Sequence, residues 1–311
     1  MAAERWGLTG QTALVTGGTK GIGKAITTEL ATLGARVLIC ARSEEGLEEA
    51  QREWKSAGLE IHAVKADVGI SEERSALLAK ANDLFAGNLS ILVNNVGNNV
   101  KRKTVDYTDG EFHEMMNINF GSVYQLTRAA HPLLKSAGHS SVVNISSVAG
   151  VAAISSESAY AAAKASLNHM TSYLGCEWAK DGIRVNAICP WFTNTPLVAP
   201  VLRDAATMAG VLRRTPLGRI AQPEEVSALA AFLCMQPASY VTAQVICVDG
   251  ERLLCKEGLG SVAYSVALAV PARMVVAARM VAAVAAMAQL PVRREWWWRW
   301  RTAGVAVLVV S

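Results

Sequence analysis

The chain lacks several features that would assign it to other classes of protein. Its six cysteines include no Cys-x-x-Cys pair and no metal-ligand spacing, so we predict no metal site and no disulfide framework. Several of them lie in apolar, strand-like runs, where a free cysteine behaves as a small buried hydrophobe, and this favours a reducing compartment. The short segment before the first apolar run has no hydrophobic stretch and no basic presequence, which favours the cytoplasm.

Charge and hydropathy exclude further classes. With 18% charged and 51% hydrophobic residues, the 311-residue chain has the composition of a soluble protein with one large α/β core. Lys and Arg outnumber Asp and Glu eight to three in residues 251–311, so the basic excess of the chain lies there. No basic stripe with interleaved aromatic residues occurs before this segment, and nucleic-acid binding is therefore not predicted.

The alternation of apolar runs with amphipathic stretches predicts the fold. Strands are predicted at 12–16, 35–40, 60–66, 89–93, 141–147, 183–189 and 243–248, and helices at 20–33, 44–57, 71–85, 111–135, 158–180 and 223–235. This pattern indicates an α/β protein with a doubly wound parallel sheet of the Rossmann type and about seven strands. We assign it to a single domain over 1–250, with ligands at the carboxyl ends of the strands.

A glycine-rich turn joins the first strand to the first helix, in the run Thr-Gly-Gly-Thr-Lys-Gly-Ile-Gly. Gly17, Gly21 and Gly23 allow a tight bend, and the helix that begins near Ile22 offers free N–H groups to a pyrophosphate. The spacing differs from the familiar Gly-x-Gly-x-x-Gly, which leaves a generic turn as the alternative. The position between strand and helix favours a dinucleotide site.

Ser147, Tyr160 and Lys164 supply a hydroxyl, a phenol and an ammonium that could together assist the reduction of a carbonyl group. Tyr160 and Lys164 are four residues apart in an Ala-rich helical segment and therefore share one face. A neighbouring cation is expected to lower the pKa of Tyr160, so that it can act as a general acid. Such a pair also occurs by chance on helices, but Ser147, at the end of a predicted strand, favours the catalytic interpretation.

Charge at the end of the second strand predicts the cofactor. This strand ends in Cys-Ala-Arg-Ser without an acidic residue, and Arg42 and Lys20 can both bind a 2′-phosphate. We therefore predict NADPH. The alternative is that both cations are solvated and that Glu44 and Glu45 are ordinary carboxylates of a helix start.

These motifs together resemble the short-chain dehydrogenase/reductase family, most closely its plant tropinone-reductase-like branch, over about residues 7–250. The resemblance rests on the glycine turn at 16–23, Asp67, the Asn-Asn-Val-Gly run at 94–97, Asn119, Ser147, Tyr160 with Lys164, and the run at 190–195. Two departures are small. Val96 stands where the family usually has Ala, and Trp191 stands where Gly is usual but is similar to tropinone-reductase-like members.

The resemblance implies hydride transfer from a nicotinamide to a carbonyl, with Ser147 hydrogen-bonding the carbonyl oxygen and Tyr160 delivering the proton. Lys164 would lower the pKa of Tyr160 and hold the nicotinamide ribose. Asn119 would support a water that connects Lys164 to solvent, with backbone capping as the alternative. The implied homo-oligomer is a homodimer or homotetramer.

Further cofactor contacts follow from the same resemblance. Asp67 is expected near the adenine, Asn94 and Gly97 beside the adenine ribose, and Thr195 near the nicotinamide amide, although Asn94 also suits a strand-end cap. The complete predicted set is Gly17, Thr19, Lys20, Gly21, Ile22, Gly23, Arg42, Asp67, Val68, Asn94, Gly97, Tyr160, Lys164 and Thr195.

The substrate pocket is expected between segments 148–159, 98–103 and 191–214, the last of which would form a lid. Ser147, Glu157, Tyr160 and Trp191 are the predicted substrate contacts. In tropinone reductases the position of Glu157 faces the ligand, and a carboxylate there would suit a protonated amine. The alternative is a solvated loop carboxylate. The expected substrate is a small cyclic or alicyclic ketone.

The tail at 251–311 departs from the family. Family members continue Val-Asp-Gly at 248–250 with another glycine, whereas here Glu251 precedes an Ala/Val/Arg/Trp-rich stretch. A disordered or aberrant tail from altered splicing, a frameshift or a gene-model error is one interpretation, and an interfacial helix is the other. No apolar run in it reaches the roughly 20 residues of a membrane span. Two functions stay open: an NADPH-dependent carbonyl reductase, and a catalytically silent NADPH-binding or assembly partner whose tail disrupts the pocket.

Overall fold

Seven parallel strands form one sheet in the computed structural model, which describes residues 4–154 and 157–253. The strands are β1 (Thr12–Thr16), β2 (Arg36–Ala41), β3 (Ile61–Lys65), β4 (Ile91–Asn94), β5 (Ser140–Ile145), β6 (Ile183–Pro190) and β7 (Val245–Val248). Their spatial order is β3-β2-β1-β4-β5-β6-β7. The order reverses between β1 and β4, where a doubly wound sheet opens a crevice for ligands. The predicted sheet is confirmed.

Helices cover both faces of the sheet. They are α1 (Gly21–Thr32), α2 (Glu44–Ser56), α3 (Ser71–Leu84), α4 (Asp109–Met116), α5 (Ser122–Ser136), α6 (Ser158–Glu177), α7 (Ala199–Leu202), α8 (Ala205–Arg213) and α9 (Pro223–Cys234). The apolar sides of α1, α2 and α9 form one core layer with the sheet, and those of α3, α5 and α6 form the other.

Side-chain alternation in β1 shows why an uninterrupted apolar strand is stable here. Ala13 and Val15 pack into the layer of α1, and Leu14 between them packs into the opposite layer. All three side chains are fully buried. Because successive side chains point to opposite faces, a strand covered on both sides must be apolar throughout. Burying one leucine in this way contributes about 1.5–3 kcal/mol.

The helix starts differ in how their first N–H groups are satisfied. The Ser43 hydroxyl accepts from Gly46 N–H at 3.1 Å at the start of α2, and Thr108 and Glu111 form a reciprocal capping box at α4. The N-cap residue of α1 is Lys20, whose side chain makes no capping hydrogen bond. The N–H groups in the first turn of α1 therefore stay available to a ligand.

Two predicted elements are wrong in detail. The expected continuous helix at 111–135 is interrupted by a π-helical turn, Asn117–Gly121, between α4 and α5. The strand expected at 141–147 ends at Ile145, and Ser147 instead caps a short 3₁₀ turn by accepting from Ala149 N–H at 3.1 Å. The other predicted ends differ from the observed ones by at most three residues.

The predictions for the tail fall almost wholly on residues 254–311, which lie outside the described residues. Within the described ranges, every helix is too short or too polar to cross a bilayer. Residues 250–253 form the last turn before that boundary. There Glu251 has φ +72°, a left-handed conformation that strains a residue with a Cβ atom.

We expect Glu251→Gly to raise the melting temperature by about 2 °C, because glycine relieves the strain of a positive φ. Glu251→Ala is the matched control, since it removes the carboxylate but keeps the Cβ atom. Differential scanning calorimetry of the three chains measures the effect. A gain in Glu251→Ala as large as that in Glu251→Gly would instead assign the effect to lost charge.

Candidate active site

A cavity of about 910 Å³ lies at the carboxyl ends of the central strands. It brings together segments that are far apart in the sequence: the glycine turn, the ends of β2 and β3, the loop after β4, and the loops after β5 and β6. The predicted site residues that line it are Gly17, Thr19, Lys20, Gly21, Ile22, Arg42, Asp67, Val68, Gly97, Ser147, Glu157, Tyr160, Lys164, Trp191 and Thr195.

Three predicted residues support the cavity without lining it. Asn94 is turned into the protein, where its Nδ2 donates to Thr127 Oγ1 at 2.9 Å and to Asn144 Oδ1 at 2.8 Å. Gly23 lies beneath the glycine turn, and a Cβ atom there would overlap a backbone carbonyl of that turn. Asn119 is completely buried. The inward hydrogen bonds of Asn94 favour the structural alternative for its side chain, and the ribose contact at this position stays a prediction.

Ser147, Tyr160 and Lys164 meet at one end of the cavity. The Tyr160 hydroxyl is hydrogen-bonded to the side chain of Ser147. Lys164 is buried on α6, and its Nζ donates to the carbonyl oxygen of Ile145 at 2.9 Å. The same Nζ lies 5.7 Å from the centre of the Tyr160 ring. The strand end and the helix therefore hold all three polar groups on one side of the pocket.

Burial dominates the protonation of these groups. It raises the pKa of Tyr160 to about 12; the hydrogen bond from Ser147 opposes this shift, and the charge of Glu157 adds to it. Burial also lowers the pKa of Lys164 to about 8. The expected net lowering of the Tyr160 pKa is wrong here, because desolvation of the phenol outweighs the hydrogen bond from Ser147. Tyr160 consequently carries its proton at neutral pH.

The π-helical turn places Asn119 directly behind the loop that follows β4. Its Oδ1 accepts from Asn98 N–H at 3.2 Å, and its Nδ2 donates to the Met115 carbonyl at 3.0 Å. A Cβ atom on Gly97 would lie 2.8 Å from this Oδ1 and 3.3 Å from Lys164 Nζ. Only glycine therefore leaves room between the amide and the ammonium. The water predicted at Asn119 stays a prediction.

The glycine turn fits the phosphate groups of a dinucleotide. Gly17 and Gly21 have φ of +66° and +54°, and a Cβ atom on Gly21 would lie 3.0 Å from the Thr195 side chain across the cavity. The uncapped first turn of α1 faces the same space. Free N–H groups and the positive end of a helix dipole favour an anion at this position.

Opposite charges face each other at the end of β2. Arg42 Nη1 lies 3.8 Å from Asp67 Oδ2, and the Arg42 side chain is 73% exposed. Asp67 is oriented by Gly69 N–H, which donates to its Oδ1 at 2.8 Å. Lys20 is also exposed and lines the same part of the cavity. A loosely held guanidinium and a nearby ammonium are therefore available to an anionic group.

Sequence reasoning missed Asn95. Its Nδ2 donates to the carbonyl oxygens of Thr16 and Gly17, both at 3.0 Å, and so ties the end of β4 to the glycine turn. The signal was present in the Asn-Asn pair at 94–95. Alternation along a strand turns one of two neighbouring side chains into the core and the other toward the loop, and here Asn94 is the inner one.

The expected pocket walls contain an ion pair in which Glu157 is buried and Lys101 is 41% exposed. Glu157 Oε1 lies 3.2 Å from Lys101 Nζ, and the Glu157 side chain is only 7% exposed. The alternative of a solvated loop carboxylate at Glu157 is therefore wrong. Lys101 Nζ also lies 5.5 Å from the centre of the Phe192 ring, which lines the cavity beside it.

Trp191 joins the pocket to the segment after β6. Its Nε1 donates to Thr215 Oγ1 at 3.1 Å, and its ring packs edge-on against Phe192 at 4.8 Å. The guanidinium of Arg252 lies 5.1 Å from the centre of the same ring. The Trp191 side chain thus ties the end of β6 to Thr215, just after α8.

Comparison with known proteins agrees with this geometry. A family model described as enoyl-(acyl carrier protein) reductase matches residues 17–250. A tropinone reductase homolog of Arabidopsis thaliana is 48% identical over 247 residues, which cover 79% of this chain and 94% of that protein.

Solved structures share the whole fold. The crystal structure of a putative NAD(P)-dependent gluconate 5-dehydrogenase from Beutenbergia cavernae, with bound NADP at low occupancy, is 32% identical, with a TM-score of 0.76, and covers 81% of this chain and 100% of that one. A single-residue variant of actinorhodin polyketide ketoreductase with NADPH is 33% identical, with a TM-score of 0.74, and covers 78% of this chain and 97% of that one.

The chain belongs to the short-chain dehydrogenase/reductase family and is similar to its tropinone-reductase-like members. It is an NAD(P)-dependent oxidoreductase. The cavity described above is accordingly its candidate active site.

We expect Asn95→Asp to raise the dissociation constant for the nicotinamide cofactor by about tenfold, because two hydrogen bonds that hold the glycine turn lose their donor. The substitution keeps the side-chain volume. Asn82→Asp, on the exposed surface of α3, is the matched control. Quenching of tryptophan fluorescence measures the binding, and equal affinities for the two variants would contradict the role given to Asn95.

Proposed function

We propose that this protein is an NADPH-dependent reductase of small ketones. The observation that carries the proposal is the Tyr160 hydroxyl, hydrogen-bonded to Ser147 beside buried Lys164, in the cavity that also contains the glycine turn. This arrangement offers a hydrogen-bond donor, a proton donor and a cation to one oxygen atom. Similarity to tropinone reductase homologs and to a ketoreductase supports the same reaction.

Ser147, Tyr160 and Lys164 each have a separate role in the proposed reaction. The reduced nicotinamide, when bound, supplies hydride to the carbonyl carbon. Ser147 donates a hydrogen bond to the carbonyl oxygen and orients it toward Tyr160. As negative charge develops on that oxygen, the Tyr160 O–H bond breaks and its proton forms the O–H bond of the alcohol. The ammonium of Lys164 stabilises the phenolate that remains.

NADPH is the proposed form of the cofactor. Arg42 is exposed at the end of β2 and is held only by a long contact to Asp67, so its guanidinium can turn to a 2′-phosphate. Lys20 lines the same region. Two solved relatives with NADP or NADPH in their descriptions support this choice.

The substrate is proposed to be a small ketone, cyclic or alicyclic. The wall around Ser147 and Tyr160 includes Ile154, Phe192 and Leu197, which suits a compact apolar body next to the reacting oxygen. The silent NADPH-binding alternative gains no support, since the similar proteins with named activities are described as reductases or dehydrogenases.

We also propose that the protein is a homo-oligomer of the cytoplasm. Tyr124 on α5 and Tyr173 on α6 expose large aromatic rings around a concave surface, which suits the subunit contact of a homodimer or homotetramer. The five cysteines among the described residues are all free, which is consistent with a reducing compartment such as the cytoplasm.

We expect Tyr160→Phe to lower kcat for ketone reduction by about a hundredfold to ten-thousandfold, because the proton donor is removed. NADPH binding, measured by fluorescence, should change little. Tyr240→Phe, at a fully exposed position, is the matched control. A ketone panel followed by NADPH absorbance gives the readout, and near-normal turnover by Tyr160→Phe would refute the proposed chemistry.

Replacement of Arg42 tests the cofactor. We expect Arg42→Ala to raise KM for NADPH by about tenfold, since a charge-assisted hydrogen bond contributes about 1.5–3 kcal/mol, and to leave KM for NADH nearly unchanged. Arg52→Ala, on an exposed position of α2, is the control. A better turnover of NADH than of NADPH by the unmodified chain would defeat the assignment.

A further inference from the structure

Glu157 places a carboxylate in the substrate wall at the reacting end of the cavity. It is the residue before α6, and its side chain is more than nine-tenths buried. Its charge reaches the Tyr160 hydroxyl, where it contributes to the raised pKa, and it raises the pKa of Tyr107 in the same way. A charge that acts on the proton donor also acts on a ligand bound beside it.

Lys101 is positioned to cancel that charge. Its Nζ lies 3.2 Å from Glu157 Oε1, and both residues line the cavity. The backbones at Arg102 and Glu157 form a parallel bridge, which holds the two loops in register. The neighbouring cation is engaged elsewhere, because Arg102 Nε donates to Glu111 Oε1 at 2.7 Å.

The Lys101 ammonium contacts two groups that bind cations. Its ammonium lies over the Phe192 ring at 5.5 Å, so the cation is held between a carboxylate and an aromatic face. These are the two kinds of group that bind an organic ammonium. An alkylammonium group would find the same two partners here, and the Lys101 side chain, which is 41% exposed, already contacts both.

We propose that Lys101 determines the charge of the substrate: by occupying the ammonium site formed by Glu157 and Phe192, it makes the pocket select uncharged ketones and exclude cationic ones. This inference rests on the proposed ketone reductase function and specifies its substrate class. It also reverses the expectation that the Glu157 carboxylate suits a protonated amine. A carboxylate that is already paired with Lys101 gains little from a second cation, and the pair does not hinder the binding of a neutral ketone.

The physical consequence is a selectivity that two single substitutions should shift in opposite directions. Removal of Lys101 leaves a buried carboxylate without its partner, and a cationic ligand then regains that interaction. Removal of the Glu157 charge leaves Lys101 unpaired, and a cationic ligand then meets a like charge. A residue with a merely structural role would not produce opposite signs.

The test uses two ketones of nearly equal shape: 4,4-dimethylcyclohexanone, and the dimethyl quaternary ammonium salt of piperidin-4-one, in which a charged nitrogen replaces the quaternary carbon. The ratio of kcat/KM values for the neutral and the cationic ketone is measured with NADPH, and the binding of each ketone is measured by calorimetry in parallel. We expect the unmodified chain to prefer the neutral ketone.

Lys101→Met should move this ratio toward the cationic ketone by about tenfold or more, and Glu157→Gln should move it toward the neutral ketone. The double variant should return close to the ratio of the unmodified chain. Lys103→Met is the matched control, because Lys103 is exposed and is not among the residues that line the cavity. Circular dichroism and melting temperature establish that each variant is folded.

The two failures are distinguishable. If no ketone is reduced by any variant, the proposed function fails, and the calorimetric ratio still decides the role of Lys101. If both ketones are reduced and the ratio is the same in Lys101→Met, Glu157→Gln and the unmodified chain, the charge selection by Lys101 is wrong. Should Lys101→Met not fold, the shift in Glu157→Gln against the Lys103→Met control decides alone.

Discussion

The hydrogen bond between buried Lys164 and the carbonyl of Ile145 is the contact on which the site depends. It joins the end of β5 to α6, and the hydroxyl of Ser146 adds a second link to the Lys164 carbonyl at 3.3 Å. Burial lowers the pKa of this ammonium, so its desolvation costs stability, and the hydrogen bond to Ile145 offsets part of that cost. A buried, perturbed cation beside a phenol is the arrangement expected of a catalytic group.

Charge is distributed along the cavity in a way that suits a dinucleotide and a small ketone. The end at the glycine turn offers backbone N–H groups and two exposed cations, whereas the end at Tyr160 has its charges paired or buried. Arg42 is largely exposed and weakly held by Asp67, whereas Glu157 is buried and paired with the partly exposed Lys101. The first arrangement can reorganise around an incoming anion. The second places a paired carboxylate in the wall near Tyr160.

Particular residues show how far sequence reasoning reaches. The apolar strand at 12–16, the glycine turn after it, and the Tyr160–Lys164 spacing are local patterns, and each predicted its element or its place at the cavity correctly. Asn94 and Asn95 were not distinguishable, because their roles depend on where the strand ends. The π-helical turn at 117–121 was missed as well, since its sequence reads as ordinary helix.

The sequence by itself determined the sheet and the position of the glycine turn, and it singled out the groups that we propose to react, because these depend on hydrophobic periodicity and on spacing within single elements. Only the tertiary structure decided the environment of those groups. Desolvation sets the protonation of Tyr160, and the approach of the loop at 98–103 to the start of α6 turns Glu157 from a free carboxylate into half of an ion pair. Both effects arise from segments far apart in the chain, whose packing no local pattern encodes.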